Sequence, residues 1–163
     1  MIKETEAGKL MERMYRLFSI RQRTEKEVRQ YFKIKNYRLK ILAKEQTSNL
    51  VIEQVIKKLK QKKLLNDEEF ARNWLDCRSK KKGKIAIKIE LLRKGIDKKI
   101  IDDLLEENPV DEEVAAQHFL EKKKNWKNLP LIEFKKKAYP FLIRRGFRYE
   151  LVKSVVEKFL QKQ

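Results

Sequence analysis

Lysine and arginine are the residues of this sequence best suited to chemistry, because their side chains bind phosphate groups through charge and hydrogen bonds. The chain of 163 residues has 42 Lys and Arg against 24 Asp and Glu, a formal net charge of +18. Such an excess favours polyanionic partners, nucleic acid first and an anionic membrane second. The candidate contact residues are Arg21, Arg23, Arg29, Arg78, Lys80, Lys81, Lys82, Lys84, Arg144, Arg145 and Arg148. Two alternatives stay open: lysines that only solubilise the surface, and cations at a helix C-terminus in the case of Arg144 and Arg145.

Residues arranged for catalysis are absent from the sequence. His118 is the only histidine and the four glycines stand apart, so there is neither a two-histidine metal motif nor a glycine-rich phosphate loop. Cys77 has no CxxC partner and follows Trp74 and Leu75, which favours a buried, inert thiol. The sequence therefore predicts a protein that is not an enzyme and that has no metal site and no cofactor.

Trp126 lies beside Lys122, Lys123 and Lys124. It suits either a base-stacking platform or a linker anchor, and the anchor is the preferred interpretation. No apolar run approaches the ~18 residues of a membrane span, and the first residues do not resemble a signal peptide. The single cysteine fits a reducing cytoplasm. We expect a cytoplasmic monomer with no membrane partner.

The elements that must position the cations are helices, because glycine and proline are scarce and Lys, Glu, Leu and Ile dominate. Asn66 or Asp67 is expected to cap the fourth helix, and Pro140 predicts a kink or break near Ala138. Apolar spacing and capping residues predict helices over about 9–20, 24–36, 48–63, 67–78, 85–94, 97–107, 111–125, 131–146 and 148–162.

Three stop residues, Asn36, Gly95 and Gly146, define an internal repeat of about 50 residues. Val28, Ile87 and Ala138 precede the stops by eight residues, and Phe32, Leu91 and Leu142 precede them by four. The register requires residues 38–47 to be an insertion. We predict an all-α fold of three tandem three-helix, helix-turn-helix-like repeats forming an elongated array. The expected domains are a flexible tail at 1–9 and repeats at 10–63, 64–109 and 110–163.

Three stretches of the chain resemble the RecX family, bacterial regulators of the recombinase RecA. Residues 17–28 (LFSIRQRTEKEV) resemble its first-repeat motif, and residues 141–147 (FLIRRGF) its C-terminal element. Residues 64–72 (LLNDEEFAR), with Arg78, Gly83 and 90–96 (ELLRKGI), resemble its central motif. The chain departs from the family pattern at Asn36 and Lys63, where glycine is usual, and in the 38–47 insertion.

The resemblance implies binding along the groove of the RecA–DNA filament in the bacterial cytoplasm. It also implies a mainly negative regulator that restrains RecA's ATPase, strand-exchange and co-protease activities in DNA repair, homologous recombination and the SOS response. The expected partners are then the RecA filament and single- and double-stranded DNA. Composition and charge alone also fit a stand-alone, basic, nucleic-acid-binding helical-repeat protein, or a repeat scaffold for another protein.

Overall fold

The computed structural model describes residues 6–108, 111–126 and 128–161, and within these ranges the chain forms helices and no strand. The predicted all-α fold is confirmed. The α-helices are α1 (Glu6–Ile20), α2 (Glu25–Ile41), α3 (Asn49–Gln61), α4 (Asp67–Ser79), α5 (Lys84–Lys94), α6 (Lys98–Glu107), α7 (Glu112–Glu121), α8 (Leu131–Ile143) and α9 (Tyr149–Gln161). A short 3-10 helix, Lys124–Trp126, follows α7.

The internal repeat predicted from the apolar register agrees with burial. All six residues placed eight and four positions before the stops are almost fully buried: Val28, Phe32, Ile87, Leu91, Ala138 and Leu142. The matched positions of the third helices are buried as well: Ile52 and Val55, Ile101 and Leu104, and Val152 and Val155. The same apolar pattern therefore builds the core at each copy of the repeat.

The chain divides into two compact units. Unit 1 comprises the residues up to Phe70 together with Lys94–Ile96. In it α3 packs on both α1 and α2. The core contains Met14, Phe32, Val55 and Leu59, which are at most 1% exposed.

Unit 2 comprises Ala71–Arg93 and the residues from Asp97 onwards. In it α9 packs on α7 and α8. The core around Leu120, Phe134 and Val155 is extended by a group of aromatic rings. Trp126 contacts Phe134 and Phe141 edge-on, with ring centroids 6.4 and 5.2 Å apart. These contacts favour the linker-anchor interpretation of Trp126.

Two of the three predicted stops are confirmed. Gly95 and Gly146 have φ values of 85° and 84°, in the left-handed region that glycine adopts at least cost. Both also lie against another helix. A Cβ on Gly95 would be 2.5 Å from Cβ of Lys26 in unit 1, and a Cβ on Gly146 would overlap the Cβ and N of Ala86 in unit 2.

The third stop, Asn36, is wrong. α2 continues to Ile41, and the left-handed residue is Ala43, with φ 50°. The amides of Ala43 and Lys44 donate to the carbonyls of Lys40 and Leu39, the hydrogen-bond pattern of a Schellman motif. Asn36 instead uses its side chain: Nδ2 donates to the carbonyl of Thr47 (2.8 Å) and Oδ1 accepts from the amide of Thr47 (3.0 Å). Asn36 is predicted to end the helix because asparagine tolerates a positive φ. In the fold, its side chain instead makes two hydrogen bonds to Thr47, eleven residues further along the chain.

Three details of the predicted helices also change. α1 includes residues 6–9 and buries Ala7, so this part of the predicted flexible tail is wrong, while its residues 1–5 lie outside the described residues. Asn66, and not Asp67, caps α4, because its Oδ1 accepts from the amide of Glu69 (3.1 Å). Of the kink or break predicted near Ala138, the break is wrong, since α8 continues through Pro140 to Ile143, and the kink stays a prediction. Pro140 is exposed, whereas Ala138 two residues before it is fully buried.

Candidate nucleic-acid interface

The loop that carries Arg21 and Arg23 is fixed by the N-terminus of α2. Thr24 is fully buried; its hydroxyl donates to the carbonyl of Lys94 (2.7 Å) and accepts from the amide of Glu27 (3.3 Å). The amide of Glu25 donates to Oδ1 of Asp67 (3.0 Å). Two free amides at the start of α2 are therefore satisfied, one of them by a residue distant in sequence.

The two arginines of this loop make contacts within unit 1. Arg21 donates to the carboxylate of Glu27 (2.8 Å), which also accepts from Lys94 (2.6 Å). Burial by itself would raise the pKa of Glu27, but the hydrogen bonds from Arg21 and Lys94 outweigh it and lower that pKa to about 2. Arg23 donates through Nε to the carbonyl of Leu17 (3.3 Å).

Arg29, although exposed, is part of an ion-pair network. Its guanidinium pairs with Glu25 (2.7 Å) and Glu53 (2.5 Å), and Glu25 also pairs with Lys60 (2.5 Å). The hydrogen bonds to Glu53 and then Glu25 raise the pKa of Arg29 above its ordinary value. A phosphate would have to displace two carboxylates to reach this side chain.

In unit 2 a related arrangement occurs at the start of α5, with a backbone amide in place of the threonine hydroxyl as one donor. The amide of Gly83 donates to the carbonyl of Arg145 (2.9 Å), and the amide of Lys84 donates to Glu112 (2.7 Å). Glu112 is the first residue of α7, as Asp67 is the first residue of α4. The helix dipole alone suggests why acids stand at both positions, but it does not predict these distant amide partners. The one sign of these contacts in the sequence is that Asp67 and Glu112 stand at matching positions of successive repeats.

The basic run from Arg78 to Lys84 separates into paired and unpaired side chains. The carboxylate of Glu90 pairs with Lys82 and, at 3.6 Å, with Arg78, and it accepts a hydrogen bond from the indole N–H of Trp74 (2.9 Å). The guanidinium of Arg78 also lies 4.7 Å from the ring centroid of Trp74. Lys80 and Lys81 are exposed and form no ion pair with another residue that the structure describes. Together with Lys122 they line a groove whose apolar surface includes Leu75, Val114 and Phe119.

Arg145 differs from its neighbour Arg144. The guanidinium of Arg145 lies 4.0 Å from the ring centroid of Phe141 and 4.7 Å from that of Phe119. Burial, and then the charge of Arg144, lower the pKa of Arg145. Arg144 is exposed and has no ion-pair partner among the described residues. Arg145 is therefore mainly a packing residue, whereas Arg144 is open to a ligand.

Arg148 and Lys84 come together at one groove of unit 2. Lys88 lies there too, paired with Asp102. Arg148 is exposed and, like Lys84, forms no ion pair within the described ranges. Among the described residues of unit 2, the predicted contact residues that neither form an ion pair nor stack on an aromatic ring are therefore Lys80, Lys81, Lys84, Arg144 and Arg148.

Cys77 corrects one prediction, because it is exposed. It follows the buried Leu75 by two residues, about 200° around the helix, so it lies on the solvent face. Among residues 6–108, 111–126 and 128–161, no group of three or more His, Cys, Asp and Glu is placed to hold a metal ion. Within the same residues, no helix is long and apolar enough to cross a membrane.

Two family models match the chain in the order of its repeats. Residues 66–105 match the second three-helix domain of RecX, and residues 111–156 match the third. The chain is 34% identical over 113 residues to the regulatory protein RecX of Chlorobium limicola, covering 68% of this chain and 70% of that protein. It is 30% identical over 149 residues to the regulatory protein RecX of Bacillus cytotoxicus, covering 89% and 52%.

The crystal structure of RecX from Lactobacillus salivarius has the same fold, with a TM-score of 0.69 at 22% identity over 94% of this chain and 96% of that chain. The fold and the matched domains define an all-α protein of three-helix repeats. The chain belongs to the RecX family of regulatory proteins. It spans about half the length of the Bacillus relatives that it matches, 52% for Bacillus cytotoxicus and 55% for Bacillus velezensis.

Proposed function

We propose that this chain regulates RecA, mainly negatively, by binding in the groove of the RecA–DNA filament as a monomer in the bacterial cytoplasm. Bound there, it restrains ATP hydrolysis, strand exchange and co-protease activity, and thereby DNA repair by recombination and the SOS response. This proposal rests on membership of the RecX family, because the net charge and the repeats alone do not identify RecA as the partner.

The distribution of charge supports an anionic partner for the unpaired cations of unit 2. A net charge of +18 raises the local concentration of a polyanion. Lys80, Lys81, Lys84, Arg144 and Arg148 form no ion pair within the described residues, so a phosphate that binds them displaces no carboxylate. We propose Lys80, Lys81, Lys84, Arg144 and Arg148 as the phosphate-contacting set. The three repeats at residues 10–63, 64–109 and 110–163 are the proposed binding modules.

The proposed function is tested with RecA assembled on single-stranded DNA. Adding this protein at sub-stoichiometric to equimolar ratios is expected to lower the rate of ATP hydrolysis by the filament. A pull-down with RecA, with and without DNA, shows whether the protein binds the recombinase or the filament. An unchanged ATPase rate across that range, together with no retention of RecA, would refute the proposal.

The proposed phosphate contacts are tested by comparing matched lysines of one loop. Replacing Lys80 and Lys81 together with Ala should weaken filament binding and reduce the slope of log affinity against log salt by about 2. Lys82→Ala is the control, because Lys82 is held by Glu90. Equal effects per residue at all three positions would contradict the distinction between paired and unpaired cations.

A second proposed function, supported by the net charge and the unpaired cations, is stand-alone binding of nucleic acid. It predicts tight, salt-sensitive binding to bare DNA that is lost on replacing Lys80, Lys81, Lys84, Arg144 and Arg148 together. It also predicts no effect on recombinase activity beyond competition for DNA. Filament inhibition at concentrations that leave bare DNA unbound would decide against it.

A further inference from the structure

The C-terminal part of α2 extends beyond the core of unit 1. α2 has 17 residues, against 11 in α5 and 13 in α8, the second helices of the other repeats. Its buried residues, Val28 and Phe32, both lie in its first half. Residues 37–46, here termed the α2 excursion, leave the core at Asn36 and return to it at Thr47.

The α2 excursion is held in one position at both ends. At its base, Thr47 is 3% exposed and receives hydrogen bonds from Asn36 (2.8 Å) and Lys35 (3.0 Å). At its tip, the Schellman hydrogen bonds around Ala43 close the helix. The excursion is therefore a fixed projection that adds no buried residue to α2.

One face of α2, which begins at Ile34 and continues into the α2 excursion, is apolar and exposed. Ile34, Tyr37 and Ile41 recur at i, i+3 and i+7, so they share one face of α2. They are 45%, 66% and 66% exposed, and Leu42 beside them is 62% exposed. Ile34 follows the buried Phe32 by two residues, about 200° around the helix, so this face points away from the core. Contiguous exposed apolar surface of this kind marks an interaction site.

The charges around the apolar face have one sign. Residues 33–44 contain five basic and no acidic side chains. Lys35 is turned to Thr47, but Lys33, Arg38 and Lys40 form no ion pair with any residue that the structure describes. A complementary partner surface is acidic, with apolar side chains at its centre.

We propose that the α2 excursion docks on an acidic protein surface with an apolar centre, and that in the filament this surface belongs to the recombinase and not to the DNA. This inference rests on the proposed function. Phosphates and sugars would leave the aliphatic Ile34, Ile41 and Leu42 without an apolar partner. A second copy of this chain, at +18, is repelled. The apolar face spans only about two turns, too little for stable attachment to a membrane surface.

The test compares two substitutions that add the same charge to exposed apolar positions of unit 1. Ile41→Glu alters the α2 excursion, whereas Leu50→Glu alters the first turn of α3, where Leu50 is 79% exposed. Binding is measured for the wild type and both variants, against RecA filaments on single-stranded DNA and against the bare DNA. We expect Ile41→Glu to weaken filament binding on the order of tenfold relative to Leu50→Glu, with equal affinities for bare DNA.

A photo-crosslinking amino acid at position 37 supplies an independent readout and is expected to label RecA. Equal filament binding by the two Glu variants, a selective loss of bare-DNA binding by Ile41→Glu, or labelling of DNA would each overturn the inference. A wild-type protein that fails to bind the filament refutes the proposed function itself. The two failures are therefore distinguishable.

Discussion

Gly146 combines a left-handed backbone with close approach to another helix, and Gly146→Ala should therefore be severely destabilising. Its φ of 84° strains any residue with a Cβ. The Cβ of an alanine at position 146 would overlap the Cβ and N of Ala86. Ala86 belongs to the first turn of α5, so these atoms cannot move independently of the helix. Gly83, directly before α5, contacts the same segment, since its amide donates to the carbonyl of Arg145.

The two effects give the size of the loss. The left-handed conformation costs about 1–2 kcal/mol in a non-glycine residue. Overpacking against a rigid neighbour adds about 1–3 kcal/mol. Gly146→Ala should therefore lower the free energy of unfolding by about 2–5 kcal/mol. Gly95→Ala has the same strain at φ 85°, but two of its three nearest heavy atoms, Cγ and Cδ of Lys26, can move away by rotation of an exposed side chain. Its loss should be smaller.

The assay is equilibrium urea unfolding of the wild type, Gly146→Ala, Gly95→Ala, and Gly95→Ala combined with Lys26→Ala. The double variant should recover part of the Gly95→Ala loss, because it removes the Cγ and Cδ contacts. A Gly146→Ala loss below about 1 kcal/mol, or a larger loss for Gly95→Ala, would refute the assignment of Gly146 to a rigid backbone contact.

Three further predictions concern stability. Lys63 has φ 55° at the end of α3, where the amide of Leu64 donates to the carbonyl of Leu59. Lys63→Gly should therefore raise the free energy of unfolding by about 1 kcal/mol in urea melts. A lower free energy of unfolding would contradict the claim that Lys63 is strained. The pKa of Glu27 is about 2 in the folded chain against an ordinary 4.5, so its ion pairs stabilise the fold above pH 4.5 and are lost as the pH falls towards 2. Glu27→Gln should therefore cost about 1–2 kcal/mol at pH 7, discounted for the exposure of Arg21, and have less effect at pH 2.5, as a pH series of unfolding curves checks. Arg145→Ala should lower the melting temperature through loss of its contacts with two aromatic rings, whereas the exposed Arg144→Ala should leave it unchanged; equal shifts in a thermal melt would refute the difference.

The helices and their buried faces were predictable because they depend on short-range periodicity. Val28 with Phe32, and Ile87 with Leu91, are apolar pairs four residues apart, and each pair is buried. Glycine stops were predictable for the same reason, since a left-handed residue favours glycine whatever surrounds it. Ala43 and Lys63 adopt the same conformation although both are exposed, and there the backbone hydrogen bonds that close α2 and α3 accompany it. Residue type gives no sign of this at Ala43, and at Lys63 the only sign is the resemblance to a family pattern that has glycine there.

The tertiary structure alone decided which basic residues keep an unpaired charge. Eleven Lys and Arg looked equivalent as candidates for phosphate contact, since nothing in their order shows where the carboxylates of other helices lie. Folding brings Glu53 to Arg29, Glu27 to Arg21 and Glu90 to Lys82. It also packs the half-buried Arg145 against aromatic rings, while Lys80 remains exposed without an ion pair among the described residues. The net charge is the sum of the charges of the individual residues, so the sequence alone determines it. Pairing depends on distances of a few ångströms between side chains that are 6 residues apart for Arg21 and Glu27, 8 for Lys82 and Glu90 and 24 for Arg29 and Glu53, and the fold sets those distances.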